Sequence, residues 1–120
     1  MYKYKASKDS GSKSWVLQRI TGLALLVLMI GHYILMHYQP DSGHTYQAVL
    51  NRMQFSWYRI IDISFITLGM YHGLNGIWNI FRDYKLHSWA KISIISALIL
   101  VGLAFTAWGY VIIFSIPYIN

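Results

Sequence analysis

Three long apolar runs dominate this chain, at residues 14–38, 57–81 and 89–116. Each reaches or exceeds the roughly 20 residues that an α-helix needs to cross a hydrocarbon core of about 30 Å. The runs predict an all-α integral membrane protein with three transmembrane helices. Composition agrees, since 56% of the 120 residues are hydrophobic and 12% are charged, too few polar side chains to cover a soluble globule. The remaining segments are a polar, basic tail at 1–13, a loop at 39–56 opened by "QPDSGH", a second loop at 82–88, and a short tail at 117–120 opened by Pro117. The apolar run after the first tail is too long for a signal-peptide core and lacks a small-residue cleavage site. The tail is therefore expected to stay attached. No Arg-rich amphipathic transit segment is visible, which points to a bacterial or archaeal cytoplasmic membrane.

The basic residues set the expected orientation. Lys3, Lys5, Lys8, Lys13 and Arg19 precede or open the first run, and Arg82, Lys85 and Lys91 lie around the second loop, whereas the first loop offers only Arg52. By the positive-inside rule the N-terminus and the second loop are cytoplasmic, and the first loop and the C-terminus are outside. The net charge of +6 thus reads as orientation, and the cations form no patch with a nucleic-acid-binding motif. Trp15, Tyr38, Trp57, Tyr84 and Trp89 fall at predicted helix ends, as interfacial aromatics do. The chain has no cysteine, which excludes disulfides, thiolate chemistry and iron–sulfur ligation by its own residues.

Within the second run, "MYHGLNGIWNIFRDY" at residues 70–84 places His72, Asn75, Gly76, Asn79 and Asp83 at i, i+3, i+4, i+7 and i+11, a single helical stripe. Facing that stripe to lipid costs kilocalories, so it must turn toward protein, a cofactor or water. Gly69 and Gly76 leave the surface around the imidazole without bulk, and a flat macrocycle with iron held by a neutral imidazole needs such a setting. Helix packing explains the same residues: Gly69 and Gly73 form a G-x-x-x-G, and a polar side chain can simply bond across a helix interface. On the residues alone both readings stand. Near the outer end, Arg59 and Asp62 at i, i+3 are expected to pair with each other. Ser96, Gly102, Ala104 and Gly109 mark the third run as a packing helix, and His44 and His87 lie in loops without an evident role.

His72, Gly76, Asp83 and Tyr84 spell H-x-x-x-G-x-x-x-x-x-x-D-Y, and the first run opens with "SWVLQRITG". Together these resemble the membrane-anchor subunits of succinate dehydrogenase (succinate:quinone oxidoreductase), most closely the D-type anchor, from about Ser14 to Tyr110. "HGLNGIW" is also similar to the two-haem cytochrome b anchors of related oxidoreductases. The resemblance implies three helices packed with a second, C-type anchor chain into a haem-binding bundle. It implies docking of an iron–sulfur and a flavoprotein subunit and electron transfer from succinate to quinone, with no catalysis by this chain alone. A fumarate reductase anchor, or a cofactor-free small transporter or assembly protein, is the alternative.

Carried over residue by residue, the resemblance makes His72 an axial ligand of haem b iron beside Gly76. Arg19 becomes the partner of haem propionates at the border of the quinone, and Asp83 and Tyr84 the quinone-binding pair. Ser14 lies near a quinone-contacting serine of the partner-type anchor but one residue off in its spacing to Arg19. His32, thirteen residues after Arg19, has the spacing of the ligand of a second haem in the two-haem anchors. Helical phase offers His37 as its rival, because His37 shares the face of Arg19.

Overall fold

The computed structural model describes residues 10–38 and 43–119, and all regular structure within them is helical: α1 at Ser10–Tyr38, α2 at Tyr46–Met53, α3 at Ser56–Arg82 and α4 at Ser88–Ser115. The three long helices contain 29, 27 and 28 residues. At 1.5 Å per residue each is about 40 Å long or more, enough to cross a bilayer with some tilt.

Apart from one-residue shifts at the ends of α3 and α4, the boundaries differ from expectation in two places. α1 starts at Ser10, so residues 10–13 belong to the first helix, while residues 1–9 of the expected tail lie outside the described residues. The segment 39–56, expected to be a loop, contains α2. This helix forms because Thr45 caps it, its side chain accepting from the Ala48 N–H at 3.2 Å, and because Val49 and Met53 stand one turn apart on an apolar face. Eight residues bracketed by turn formers carry too little periodicity to show this in the sequence. Most of "QPDSGH" falls outside the described residues. Gly43 has φ of +129°, a backbone conformation in which a side chain would be strained.

α3 is the central helix, packing on α1 along one side and on α4 along another, with α2 against its N-terminal end. Both long seams are antiparallel. Toward α1, Gly69, His72 and Gly76 meet Leu25, Gly22 and Gln18 in that order. Toward α4, Ile66 and Leu74 meet Gly109 and Gly102. A Cβ on Gly102 would overlap the Leu74 side chain, and one on Gly109 would lie 2.8 Å from Ile66 Cδ1. These two glycines, seven residues apart, let α4 close onto α3, as small residues do where lipid gives no hydrophobic driving force. Ser96 and Ala104 are not part of that closure, and Ala104 is exposed. Within this chain the G-x-x-x-G of α3 does not pack as a pair: Gly69 meets Leu25 at 3.8 Å, and nothing lies within 4 Å of the space beside Gly73.

Arg59 and Asp62 do not form the expected pair. Arg59, 5% exposed, donates from Nε to the Met53 carbonyl at 2.7 Å and from its Nη atoms to the carbonyls of Ile116 at 2.8 Å and Ile113 at 3.4 Å, with its guanidinium 3.9 Å from the centre of the Tyr118 ring. Two helix C-termini, those of α2 and α4, leave carbonyls without intrahelical donors, and one cation donates to carbonyls at both. Asp62 lines a separate apolar cavity of about 250 Å³ with Val49, Phe65 and Ile112.

Polarity is arranged inside out. Met53 and Ile113 are the buried apolar side chains among the described residues, while Leu23 and Val27 on α1 and Leu100, Leu103 and Trp108 on α4 are exposed. Such a surface suits lipid or neighbouring helices. Two helices are long and apolar enough to cross a membrane, Ser12–Tyr38 and Ser88–Ser115. α3 has the length, but its polar stripe keeps it below that degree of apolarity, so length and apolarity identify two spans where the sequence suggested three.

Candidate functional site

The polar stripe of α3 faces α1, and α1 meets it with a stripe of its own. Ser14, Gln18 and Thr21 stand at i, i+4 and i+7 on one face of α1. Ser14 Oγ donates to Asn75 Oδ1 at 2.8 Å, and Asn75 Nδ2 donates to Gln18 Oε1 at 2.6 Å and, more weakly, to the Ser14 carbonyl at 3.4 Å. Gln18 Nε2 in turn lies 3.1 Å from the His72 carbonyl and 3.3 Å from His72 Nε2. The other ring nitrogen, Nδ1, is 3.1 Å from Thr21 Oγ1. Thr21 is 6% exposed, and its hydroxyl also reaches the carbonyls of Leu17 at 2.7 Å and Gln18 at 3.3 Å. The half-buried imidazole thus has a partner at each nitrogen, all from α1.

Beside it, Gly22, Leu25, Leu26, Met29, Phe65, Gly69 and His72 line an open groove of about 370 Å³. The ring lies against Gly22, where a Cβ would come within 3.0 Å of His72 Cε1. These residues fit an imidazole-ligated flat group: the groove is apolar, its floor is glycine, and Gln18 is the one side chain that would leave Nε2. Among the described residues no three His, Asp or Glu side chains gather as a metal site, so His72 would act as a single ligand and not as part of a cluster.

At the end of the same seam where α1 begins and α3 ends, Trp15, Gln18, Arg19, Asn79, Arg82 and Asp83 surround a more polar cavity of about 260 Å³. The Arg19 guanidinium lies 3.9 Å from the centre of the Trp15 ring, a cation–π contact that holds the charge at the cavity mouth. Asn79 Oδ1 is buried without a hydrogen-bond partner. Buried acceptors are normally paired, so this one marks a place for a donor. The structure therefore brings Arg19 and Asp83 together. Tyr84 is not in the cavity lining; it is 61% exposed, in the turn after α3, where its N–H donates to the Phe81 carbonyl at 3.2 Å.

His32 and His37 occupy different settings. His32 is exposed and stacks on Phe65 with ring centres 6.0 Å apart, and Phe65 also lines the groove of His72. His37 lies further out along α1, 4.4 Å from the Tyr33 ring and 5.9 Å from that of His44. Gly76 lies against Gln18, with 3.2 Å from its missing Cβ to Nε2.

Gln18 and Thr21 are the residues that the motifs do not single out, because the charged Arg19 is the conspicuous member of "LQRITG". Their signal is the spacing of polar residues along an otherwise apolar helix, matching the stripe on α3. Ser14, one residue off in its spacing to Arg19, belongs to that stripe and bonds to Asn75.

Comparison with known proteins agrees with this architecture. Residues 1–113 match the family described as succinate dehydrogenase/fumarate reductase transmembrane subunit. A succinate dehydrogenase hydrophobic membrane anchor subunit of Thermoplasma acidophilum is 29% identical over 105 residues, covering 85% of this chain and 84% of the relative. One of the same description from Archaeoglobus fulgidus is 23% identical over 103 residues, covering 86% and 88%. With a polar seam between long apolar helices and a family match over almost its whole length, this chain belongs to the succinate dehydrogenase/fumarate reductase transmembrane subunit family.

Proposed function

We propose that this chain is the D-type hydrophobic membrane anchor of a succinate dehydrogenase, or of the similar fumarate reductase. It would cross the cytoplasmic membrane three times, with its N-terminus inside and its C-terminus outside. The observation that carries the reading is His72, set on a glycine-floored apolar groove in a seam that is otherwise closed by hydrogen bonds. The exposed apolar faces of α1 and α4 suit a second, C-type anchor chain and lipid, and the basic inner end suits docking of an iron–sulfur subunit that carries the flavoprotein.

A haem b held by His72 would supply one-electron transfer between the iron–sulfur subunit and membrane quinone. One chain offers one imidazole here, so a second ligand to the iron would come from the partner anchor. Gly76 and Gly69 keep the surface beside the imidazole flat. Arg19 presents a guanidinium fork at the inner cavity, suited to the carboxylates of a haem edge or to a quinone oxygen. Asp83 in the same cavity can accept a hydrogen bond from a reduced quinone and hand on its proton, and Asn79 Oδ1 offers a second acceptor. Tyr84, at the rim, can donate its phenolic O–H to a quinone carbonyl. His32, stacked on Phe65, would hold a second haem. A cofactor-free transporter or assembly role remains the second reading, favoured by the fact that both ring nitrogens of His72 find partners within this one chain.

The test is the absorption spectrum of the co-purified complex, with haem counted per flavin, for wild type and for His72→Ala, His32→Ala and His37→Ala separately. A Soret band with sharp reduced α and β bands, and loss of a haem in His72→Ala with membrane insertion intact, is expected. A colourless, correctly assembled complex would overturn the haem reading. One haem per wild-type complex would end the role of His32, and loss of a second haem in His37→Ala alone would move the ligand there.

A further inference from the structure

The hydrogen bonds around His72 have a direction, and backbone carbonyls, which can only accept, fix it at both ends. Thr21 has one hydroxyl proton, and its shortest contact is the Leu17 carbonyl at 2.7 Å. With the proton placed there, Thr21 Oγ1 can only accept from His72, so Nδ1 is the protonated nitrogen of the neutral ring and Nε2 carries the lone pair. The other side of the ring gives the same answer independently. Gln18 Nε2 faces the His72 carbonyl at 3.1 Å and must be the amide nitrogen, since two carbonyl oxygens would repel. Asn75 Nδ2, which also faces the Ser14 carbonyl, donates to Gln18 Oε1 and holds the amide in that orientation. The second N–H of Gln18 is then the donor to His72 Nε2 at 3.3 Å, which again requires a lone pair on Nε2.

We propose that Thr21 and Gln18 are positioning residues for His72: Thr21 fixes the tautomer and ring plane that present the Nε2 lone pair, and Gln18 caps that lone pair until iron takes its place. The proposal rests on the reading of His72 as a haem ligand. The exchange is balanced without proton transfer. The Nε2 lone pair would pass from a Gln18 N–H to the metal, with the Gln18 amide, 3.3 Å from Nε2, turning aside and giving up its bond to the His72 carbonyl. Outer partners of this kind orient ligating histidines and raise their basicity, and losing one typically lowers metal affinity about 10- to 100-fold.

Two variants of the intact complex test it. Thr21→Val keeps the shape of the side chain and removes the acceptor, and Thr21→Ser restores the hydroxyl. In Thr21→Val the haem should be lost about 10- to 100-fold more readily to an excess of a haem-scavenging globin. Its midpoint potential should rise, because a less basic imidazole stabilises ferric iron less, and Thr21→Ser should return both toward wild type. Gln18→Leu removes the competitor for Nε2 and should slow haem loss; this variant decides the question if Thr21→Val fails to assemble, with unchanged or faster loss overturning the proposal. Unchanged retention and potential in an assembled Thr21→Val complex would overturn it while leaving His72 as ligand. A wild-type complex without haem would instead remove the reading beneath it.

Discussion

The two seams of α3 are built from opposite materials. Toward α1 the contact is a chain of hydrogen bonds from Ser14 through Asn75 and Gln18 to His72 and Thr21. Toward α4 it is shape: Leu74 on Gly102 and Ile66 on Gly109, closed at the C-terminal end of α4 by Arg59. In a bilayer neither seam gains from expelling water, so each must specify its register by other means. Direction-dependent bonds leave a side chain able to exchange partners at His72. Interlocked apolar shapes leave nothing to exchange. The first seam suits a site and the second a strut.

Substitutions ordered by expected effect can break this contrast. The largest belongs to the strut: Arg59→Met strips donors from the carbonyls of Met53, Ile113 and Ile116, and should cost about 3 kcal/mol, since bonds from a charged donor contribute roughly 1.5–3 kcal/mol each and part of the loss is recovered by water at the helix ends. Thermal unfolding of the detergent-solubilised complex measures it, and an unchanged midpoint would show that the guanidinium is dispensable. Gly102→Ile comes next. It drives a branched side chain into Leu74 and should destabilise the α3–α4 contact by about 1–3 kcal/mol while leaving the spectrum of assembled protein unaltered. A spectral change without destabilisation would mean that the two seams are not independent.

Asn75→Ala should cost about 1 kcal/mol, because Ser14 loses its acceptor and Gln18 its donor. Its signature is local: a changed environment at His72 by magnetic resonance, with α3–α4 packing intact. The smallest effect is expected at Gly73→Ala, where open space receives the methyl group and helix propensity favours alanine. Stability should stay the same or rise by a few tenths of a kcal/mol; impaired assembly in that variant would locate a partner helix on the Gly73 face.

The sequence was readable where periodicity meets the cost of exposing polar groups to lipid. His72, Asn75, Gly76, Asn79 and Asp83 form a stripe, and such a stripe has to face something other than hydrocarbon; here it faces α1. The partner stripe on α1 is equally periodic but sparse, three uncharged residues over two turns, and the charge of Arg19 beside it is the stronger signal. Arg59 escaped for a different reason. Its nearest acid in sequence is Asp62, yet three carbonyls at the ends of α2 and α4 reach it from distant parts of the chain, and spacing along one helix carries no information about those ends. α2 itself is specified by one cap and one apolar pair, below what a turn-rich segment reveals. Tyr84 completes a motif in the chain without joining the cavity around Asp83.

The shortfall in the apolarity of α3 bears on the order in which the protein is made. In the proposed three-span arrangement, α3 is less apolar than α1 and α4, and the side chains that mask its polar groups lie on α1, which leaves the ribosome first. Ser14, Gln18 and Thr21 are all synthesised before His72, so their face of α1 can be in place when it arrives. Chain order thus lets the first helix serve as a receptor for the third, in the antiparallel pairing that the finished structure shows.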